Sequence, residues 1–182
     1  TMDDRAETLL VNLLRGAGTT GLAALRPGPR HPLLALRRAE TEALCAAEGL
    51  DPVEDPSNRD PRFVRNRVRH EVLPLLATVA DRDLVPVLAR QAELLADDAD
   101  LIDALASGLD PTDAAALSAA PPPLARAALR SWLRPAGDGH PPSAAAVERV
   151  RAVARGDAVA TEVPGGWRVH RSRGVLHLDP PA

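Results

Sequence analysis

The residues whose types and spacing suit chemistry begin with Thr1-Met2-Asp3-Asp4-Arg5-Ala6-Glu7-Thr8, followed by Arg15-Gly16-Ala17-Gly18. Asp4 and Glu7 lie three positions apart at a predicted helix start, so both carboxylates share one side. Such a pair could hold a cationic amine, bind Mg²⁺ through oxygens, or act as a general base. The same residues also suit a plain helix start, with Asp3 or Asp4 as N-cap and Glu7 completing a capping box. A second group is Asp55-Pro56-Ser57-Asn58 with Arg65-Asn66-Arg67-Val68-Arg69. There Arg65, Arg69 and His70 would cluster on one side of a helix and suit phosphate oxygens. The alternative is a solvated polar face opposite Val64, Val68 and Val72. A third group is Trp167-Arg168-Val169-His170-Arg171, near Arg149, Arg151 and Arg155 of the preceding helix. Strand alternation of this kind describes either a half-buried sheet or an RNA-facing surface.

The elements that must position these groups can be read from hydrophobic period. Asp3 to Arg15 predicts an amphipathic helix with Ala6, Leu9, Leu10 and Leu13 on its apolar face. Asp4, Glu7, Thr8, Val11 and Arg15 fall on the other. Gly16 to Gly21 then reads as a flexible loop, Leu22 to Leu25 as a helical turn, and residues 26–32 as a Pro-rich connection. Helices are predicted over Arg37 to Glu48, 62–77 and about Asp83 to Leu105, with a polar loop from Asp51 to Asp60. Pro74 should sit close to the end of the helix that contains it, or kink it. Shorter helices at roughly 112–118, 122–133 and 143–155 follow, with a loop from Pro135 to Pro142. The period then changes to two, and Val159 to Val163, Trp167 to Arg171 and Val175 to Leu178 read as strands separated by glycine turns.

Composition narrows the class. Of the 182 residues, 45% are hydrophobic but only 2% aromatic, so the core must be built from Leu, Val and Ala, which favours helix. All 22 basic residues are arginine, consistent with a GC-rich genome before any chemical preference. The lone Cys45 cannot form an internal disulfide and sits in an apolar helical context, which fits a buried residue in a reducing cytoplasm. The five scattered histidines lack ligand spacing, so no metal site is expected. No signal peptide is visible, and no run approaches the roughly 20 apolar residues of a membrane span. The net charge of −3 is unevenly spread. Residues 59–70 and 126–173 are arginine-rich, while 93–113 are acidic, so local positive fields can exist on a weakly acidic chain.

Taken in order, these pieces resemble one family, the tRNA(Ile)-lysidine synthetases of the PP-loop superfamily. The family's Asp-Asp-x-x-Glu-Thr segment and Arg-Gly-x-Gly-x-x-Gly-Leu loop match Asp3 to Thr8 and Arg15 to Leu22. His31-Pro32-Leu33-Leu34 with Arg37, Asp55 to Asn58, Arg65 to Arg69, Leu73-Pro74-Leu75 and Val163-Pro164-Gly165-Gly166 continue the match. The resemblance implies a mainly α chain: the helical remainder of an α/β PP-loop ATPase domain, then a helical domain ending in a small antiparallel sheet. The boundaries it suggests are 1–80 for the ATPase part, 81–105 for a long connecting helix and 106–182 for a tRNA-binding domain. It implies a ligase that adenylates the wobble cytidine of tRNA(Ile) with ATP and lets free lysine attack. Asp4 and Glu7 would be catalytic, and Arg65, Asn66, Arg69 and Asn58 would bind substrate. Arg15, Gly16 and Gly18 would lie near the nucleotide, and Arg149, Arg151, Arg168 and Arg171 would meet RNA. The intact enzyme would use ATP and Mg²⁺, act in the cytoplasm, and leave room for a homodimer, with no membrane or DNA partner.

The family's Ser-Gly-Gly-x-Asp-Ser loop and the His before the Asp-Asp pair have no counterpart in this sequence. The expectation is therefore that this chain alone neither binds ATP tightly nor makes lysidine. A competing reading takes residues 112–178 as a winged-helix module, with 143–155 as recognition helix and Trp167 to Leu178 as wing. A third is a truncated product whose exposed apolar faces drive self-association.

Overall fold

The computed structural model describes residues 1–23, 25–53, 55–136 and 141–181. It divides into two compact units, Thr1–Ala99 and Asp100–Ala182.

In the first unit, α1 (Met2–Leu14) is followed by a single turn, α2 (Thr19–Leu22), and by α3 (Arg38–Ala47). The N-cap of α1 is Thr1, whose hydroxyl accepts from the Asp4 backbone at 3.3 Å. The capping box therefore joins Thr1 to Asp4, which leaves Glu7 free for another role. A 3₁₀ turn over Pro56–Arg59 is capped by Asp55 and lies in the expected polar loop, where Glu54 falls outside the described residues. Then α4 (Val64–Arg67) runs through a π-helical turn (Val68–Val72) into α5 (Leu73–Ala80).

Pro74 lies at the start of α5, and the helix continues beyond it to Ala80. The Leu73 N–H bonds the carbonyl of Val68, five residues back, which widens the turn just ahead of the proline. A widened turn keeps the proline ring off the carbonyl it would otherwise strike. The long helix α6 (Val85–Ala106) begins in this unit, where Leu9, Leu10, Val11, Val68 and Ala92 form the buried cluster.

The second unit packs α7 (Ala114–Ala119), α8 (Pro122–Trp132) and α9 (Ala144–Arg155) with a three-stranded antiparallel sheet. Asp113 caps α7 by accepting from Ala115 and Ala116, Ser143 caps α9, and prolines open α8, where a missing N–H costs nothing. Strands β1 (Ala160–Val163), β2 (Trp167–Ser172) and β3 (Val175–Asp179) lie in sequence order, with Thr161 opposite Val169 and Val169 opposite Leu178. Gly156 ends α9 at φ +89°, and a Cβ there would lie 2.9 Å from the Arg171 guanidinium. The loop expected over Pro135–Pro142 falls partly outside the described residues; Arg134–Ala136 form a 3₁₀ turn.

The core of this unit comprises Leu117, Leu129, Leu133, Val147, Val150, Val153, Val163, Val169 and Leu176, with Trp132 and Trp167 packed at its margin. Val169 is fully buried and Arg168 exposed, which is the alternation the strand pattern predicts. Leu129 is likewise fully buried. Leu129→Ala should therefore lower unfolding stability by about 2–5 kcal/mol, read as a shifted midpoint in urea. An unchanged midpoint would contradict the packing described.

Candidate functional site

The site is an ion-pair network around α1. Glu7 is 1% exposed, although it lies on the side of α1 that the hydrophobic pattern assigns to solvent. Its carboxylate accepts from Arg69 Nε at 2.7 Å and Nη2 at 2.8 Å, from Arg65 Nε at 3.0 Å, and from Arg38 Nη2 at 3.1 Å. Asp4, one turn away, accepts from Arg38 at 3.0 Å and Arg65 at 3.1 Å, with Arg69 at 3.6 Å. Asp3 accepts from the Arg38 backbone N–H at 2.7 Å, capping the start of α3, and receives the Arg37 guanidinium at 3.2 Å. Arg37 also pairs with Asp83. Four guanidiniums (Arg37, Arg38, Arg65, Arg69) thus face four carboxylates (Asp3, Asp4, Glu7, Asp83).

Local structure explains how these residues meet. Arg65 and Arg69 are four residues apart on α4 and the π turn, so both side chains point at α1. His70, one position on, is exposed and lines a different cleft with Arg67 and Glu71, so the expected grouping of His70 with Arg65 and Arg69 does not form. Asn66 is buried, and its amide donates to the carbonyls of Ser57 at 2.7 Å and Asp60 at 2.9 Å, pinning the 3₁₀ loop that presents the exposed Asn58. Arg15 and Gly16 close α1, with Gly16 at φ +73°, and Asn12 donates to the Gly21 carbonyl at 2.8 Å to hold the following loop. Arg5 is buried and pairs with Glu93 of α6, while its Nε finds no partner among the described residues.

The protonation chemistry follows from the network. Burial by itself would raise the Glu7 carboxyl, but hydrogen bonds from Arg69 and Arg65 and the charges of Arg69 and Arg38 outweigh it and hold the group below the usual carboxylate range. At Asp4 burial again opposes, and the hydrogen bond from the Thr1 hydroxyl and the charge of Arg38 outweigh it, so the carboxyl is driven down. Asp3 shifts the same way against burial, through Arg37 and the Arg38 N–H. Glu7 is thus an enclosed anion with its lone pairs occupied. Asp4 is the more open carboxylate, 29% exposed.

In the second unit the arginines expected to meet RNA divide. Arg149 donates to Thr161 Oγ1 at 3.2 Å and the Glu162 carbonyl at 3.1 Å, Arg151 pairs with Glu148 at 2.9 Å, and Arg171 donates to the Ala154 carbonyl at 2.9 Å. Arg168 stays exposed on the outer face of β2, beside a shallow cleft with Thr161 and Glu162. Across the same face His170 and His177 stack at 4.9 Å, with His170 Nδ1 3.0 Å from Asp179.

Sequence reasoning did not single out Arg38, Asp83 or the Arg5–Glu93 pair as parts of this network. The one available signal was complementarity: an arginine pair opening α3 is unfavourable beside the helix dipole unless anions lie close by. Among the described residues no group of His, Cys, Asp or Glu could hold a metal ion, and no helix is long and apolar enough to cross a membrane.

Comparison with known proteins adds an independent line. Residues 1–76 match the PP-loop domain model, and residues 113–177 match the TilS substrate binding domain model. A tRNA(Ile)-lysidine synthase of Nocardia farcinica is 45% identical over 147 residues, covering 75% of this chain and 46% of that protein. One from Mycobacterium tuberculosis is 41% identical over 151 residues, covering 75% and 47%. One from Cutibacterium acnes is 37% identical over 188 aligned positions, covering 98% and 58%. The chain spans about half the length of the curated relatives it matches. The second match covers the segment a winged-helix module would occupy, and that reading is not favoured.

The network predicts an acid limit. Because Asp3, Asp4 and Glu7 have lowered folded values, the unfolded chain takes up their protons first as pH falls. Their stabilisation is full above the ordinary carboxylate values of 4.5 and 3.8 and is lost as pH drops through the lower folded values. Melting temperature should fall below about pH 4.5, and Glu7→Gln should make that fall shallower. At neutral pH, Glu7→Ala should cost about 3–5 kcal/mol, because it leaves Arg65 and Arg69 facing each other without their anion. A variant as stable as the parent across this pH range would refute the role given to Glu7.

Proposed function

We propose that this chain, which belongs to the tRNA(Ile)-lysidine synthetase family, is the lysine- and tRNA-handling part of an ATP-dependent enzyme that converts the wobble cytidine of tRNA(Ile) to lysidine. The observation that carries the reading is the convergence of Asp4 and Glu7 with Arg65 and Arg69, which come from segments about sixty residues apart.

The chemistry asks for what these residues offer. Transfer of AMP from ATP to the cytidine carbonyl oxygen breaks the α–β phosphoanhydride, releases pyrophosphate and turns that oxygen into a leaving group. Attack by the amine of lysine then forms the new C–N bond and expels AMP. The ammonium form of lysine has no lone pair, so it must be held and lose a proton before attack. In this reading Asp4 is the carboxylate nearest the amine, since it is the more open. Glu7 orients Arg65 and Arg69, which with Asn58 meet substrate or phosphate oxygens. Arg15 and the Gly16–Gly18 loop lie on the nucleotide side. The PP-loop match supports ATP as a substrate. The carboxylates of the network are taken up by arginine, so no step is assigned to Mg²⁺.

The TilS substrate binding domain match supports a tRNA-facing role for the second unit, with the exposed Arg168 of β2 as a guanidinium that would meet RNA. Binding of the chain to unmodified tRNA(Ile) and to duplex DNA, titrated with salt, tests the proposal. tRNA should win, Arg168→Ala should reduce the salt slope by about 1 with no change in melting, and Arg65→Ala should weaken binding. Arg171→Ala should lower the melting temperature instead, because its guanidinium holds the end of α9. Equal or preferred binding of DNA would overturn the reading.

A further inference from the structure

Two histidines stack on each other on the outer face of the terminal sheet. In antiparallel strands directly opposed residues point to the same side. Val169 and Leu176 are buried in the core, so their neighbours along each strand face outward. The register sets these out in two rows, Ala160, His170 and His177 in one, and Glu162, Arg168 and Asp179 in the next. The His170 and His177 rings have centroids 4.9 Å apart and planes inclined by 16°. Asp179 lies opposite Arg168 in the register, yet its carboxylate stands 3.0 Å from His170 Nδ1. His177 is exposed on β3, the last strand of the sheet.

With both imidazoles neutral, the two rows hold one guanidinium against two carboxylates, a net charge of −1 that repels a phosphate. With both protonated, the same rows carry +1 and attract it. Histidine is the side chain that makes this change across the range of about pH 5 to 8, whereas carboxylates and guanidiniums keep their charge there. Those around the sheet are Asp110 and Asp113 in the segment that pairs with β3, and Arg173 in the β2–β3 turn. Two more arginines are engaged with backbone carbonyls, Arg149 with that of Glu162 and Arg171 with that of Ala154. Like charges on stacked rings repel each other. Asp179 offsets a charge on His170, while the exposed His177 must be neutralised from solution. A phosphodiester does this, with Arg168 in the adjacent row to share it. We propose that the outer face of this sheet is a proton-gated contact for the RNA phosphate backbone, repelled by Glu162 and Asp179 while His170 and His177 are neutral and attracted when they are charged. This inference rests on the reading of the second unit as tRNA-facing and adds its regulation by pH.

The test binds unmodified tRNA(Ile) to the chain in steps from about pH 8 down to about pH 5.5 at fixed ionic strength, with a salt titration at each end. Affinity should rise roughly 5- to 50-fold toward the acid end. The slope of log affinity against log salt should steepen by about 1 to 2, because each added phosphate contact releases counterions. Replacing both rings together, His170→Gln with His177→Gln, should hold affinity near its alkaline value throughout. Asp179→Asn should strengthen binding at the alkaline end, since it removes a carboxylate from the face. His70→Gln, in the first unit, should keep the parent's pH dependence. Circular dichroism should be the same for every variant, since none of these side chains lies in a core. If tRNA binds and the double variant keeps the full pH dependence, or the His70 variant loses it, the sheet-face proposal fails while the tRNA reading stands. If tRNA binds at no pH, both fail.

Discussion

Moving a carboxylate out of water costs several kcal/mol unless opposite charge and hydrogen bonds replace the solvent. Glu7 meets this condition with three guanidiniums, and much of the first unit follows from it. Arg38 comes from the start of α3, Arg65 from α4 and Arg69 from the π turn, so one anion ties three segments to α1. Asp3 adds a fourth tie by capping α3. The consequence is a helix buried on more sides than its hydrophobic pattern predicts. Arg5, Glu7 and Val11 are enclosed alongside Ala6, Leu9 and Leu10, while Leu13 is exposed.

The π turn belongs to the same arrangement. Without the extra residue that it inserts before Pro74, the positions after it would rotate relative to α1, and the proline would break the helix that carries Arg65 and Arg69. Asn66, between those arginines, faces the opposite way and fastens the 55–60 loop by its amide. One short stretch of helix therefore presents guanidiniums to one neighbour and an amide to another. That two-sidedness is why the Arg-Asn-x-x-Arg spacing is useful.

Arginine carries every basic charge here, and the structure separates its uses. A planar guanidinium can chelate a carboxylate or carbonyl while staying charged, so arginine serves as a structural fastener as readily as a ligand for phosphate. Arg149, Arg151 and Arg171 fasten α9 to its neighbours or to itself, and Arg37, Arg38 and Arg69 fasten the network. Local density of basic residues therefore says little about which guanidiniums remain open to solvent. Exposure separates them, and Arg15, Arg65 and Arg168 are exposed.

Much of the fold could be read from pattern. The helical class, the long helix now seen as α6 and the order of three helices before a terminal sheet all follow from periodicity. The alternation that buries Val169 and exposes Arg168 does so as well, because local propensity and the position of glycine and proline act over a few residues. The ordered motifs also carried the family. What only the tertiary structure decided is which charges meet. Whether Glu7 caps its own helix or receives Arg65 and Arg69 depends on contacts about sixty residues apart in the chain, and no helical period encodes these. The same holds for the turn through Pro74, for the outward face of His70 and for the exposure of Phe63. Each is settled by what packs alongside, since burial and pairing are properties of neighbours in space.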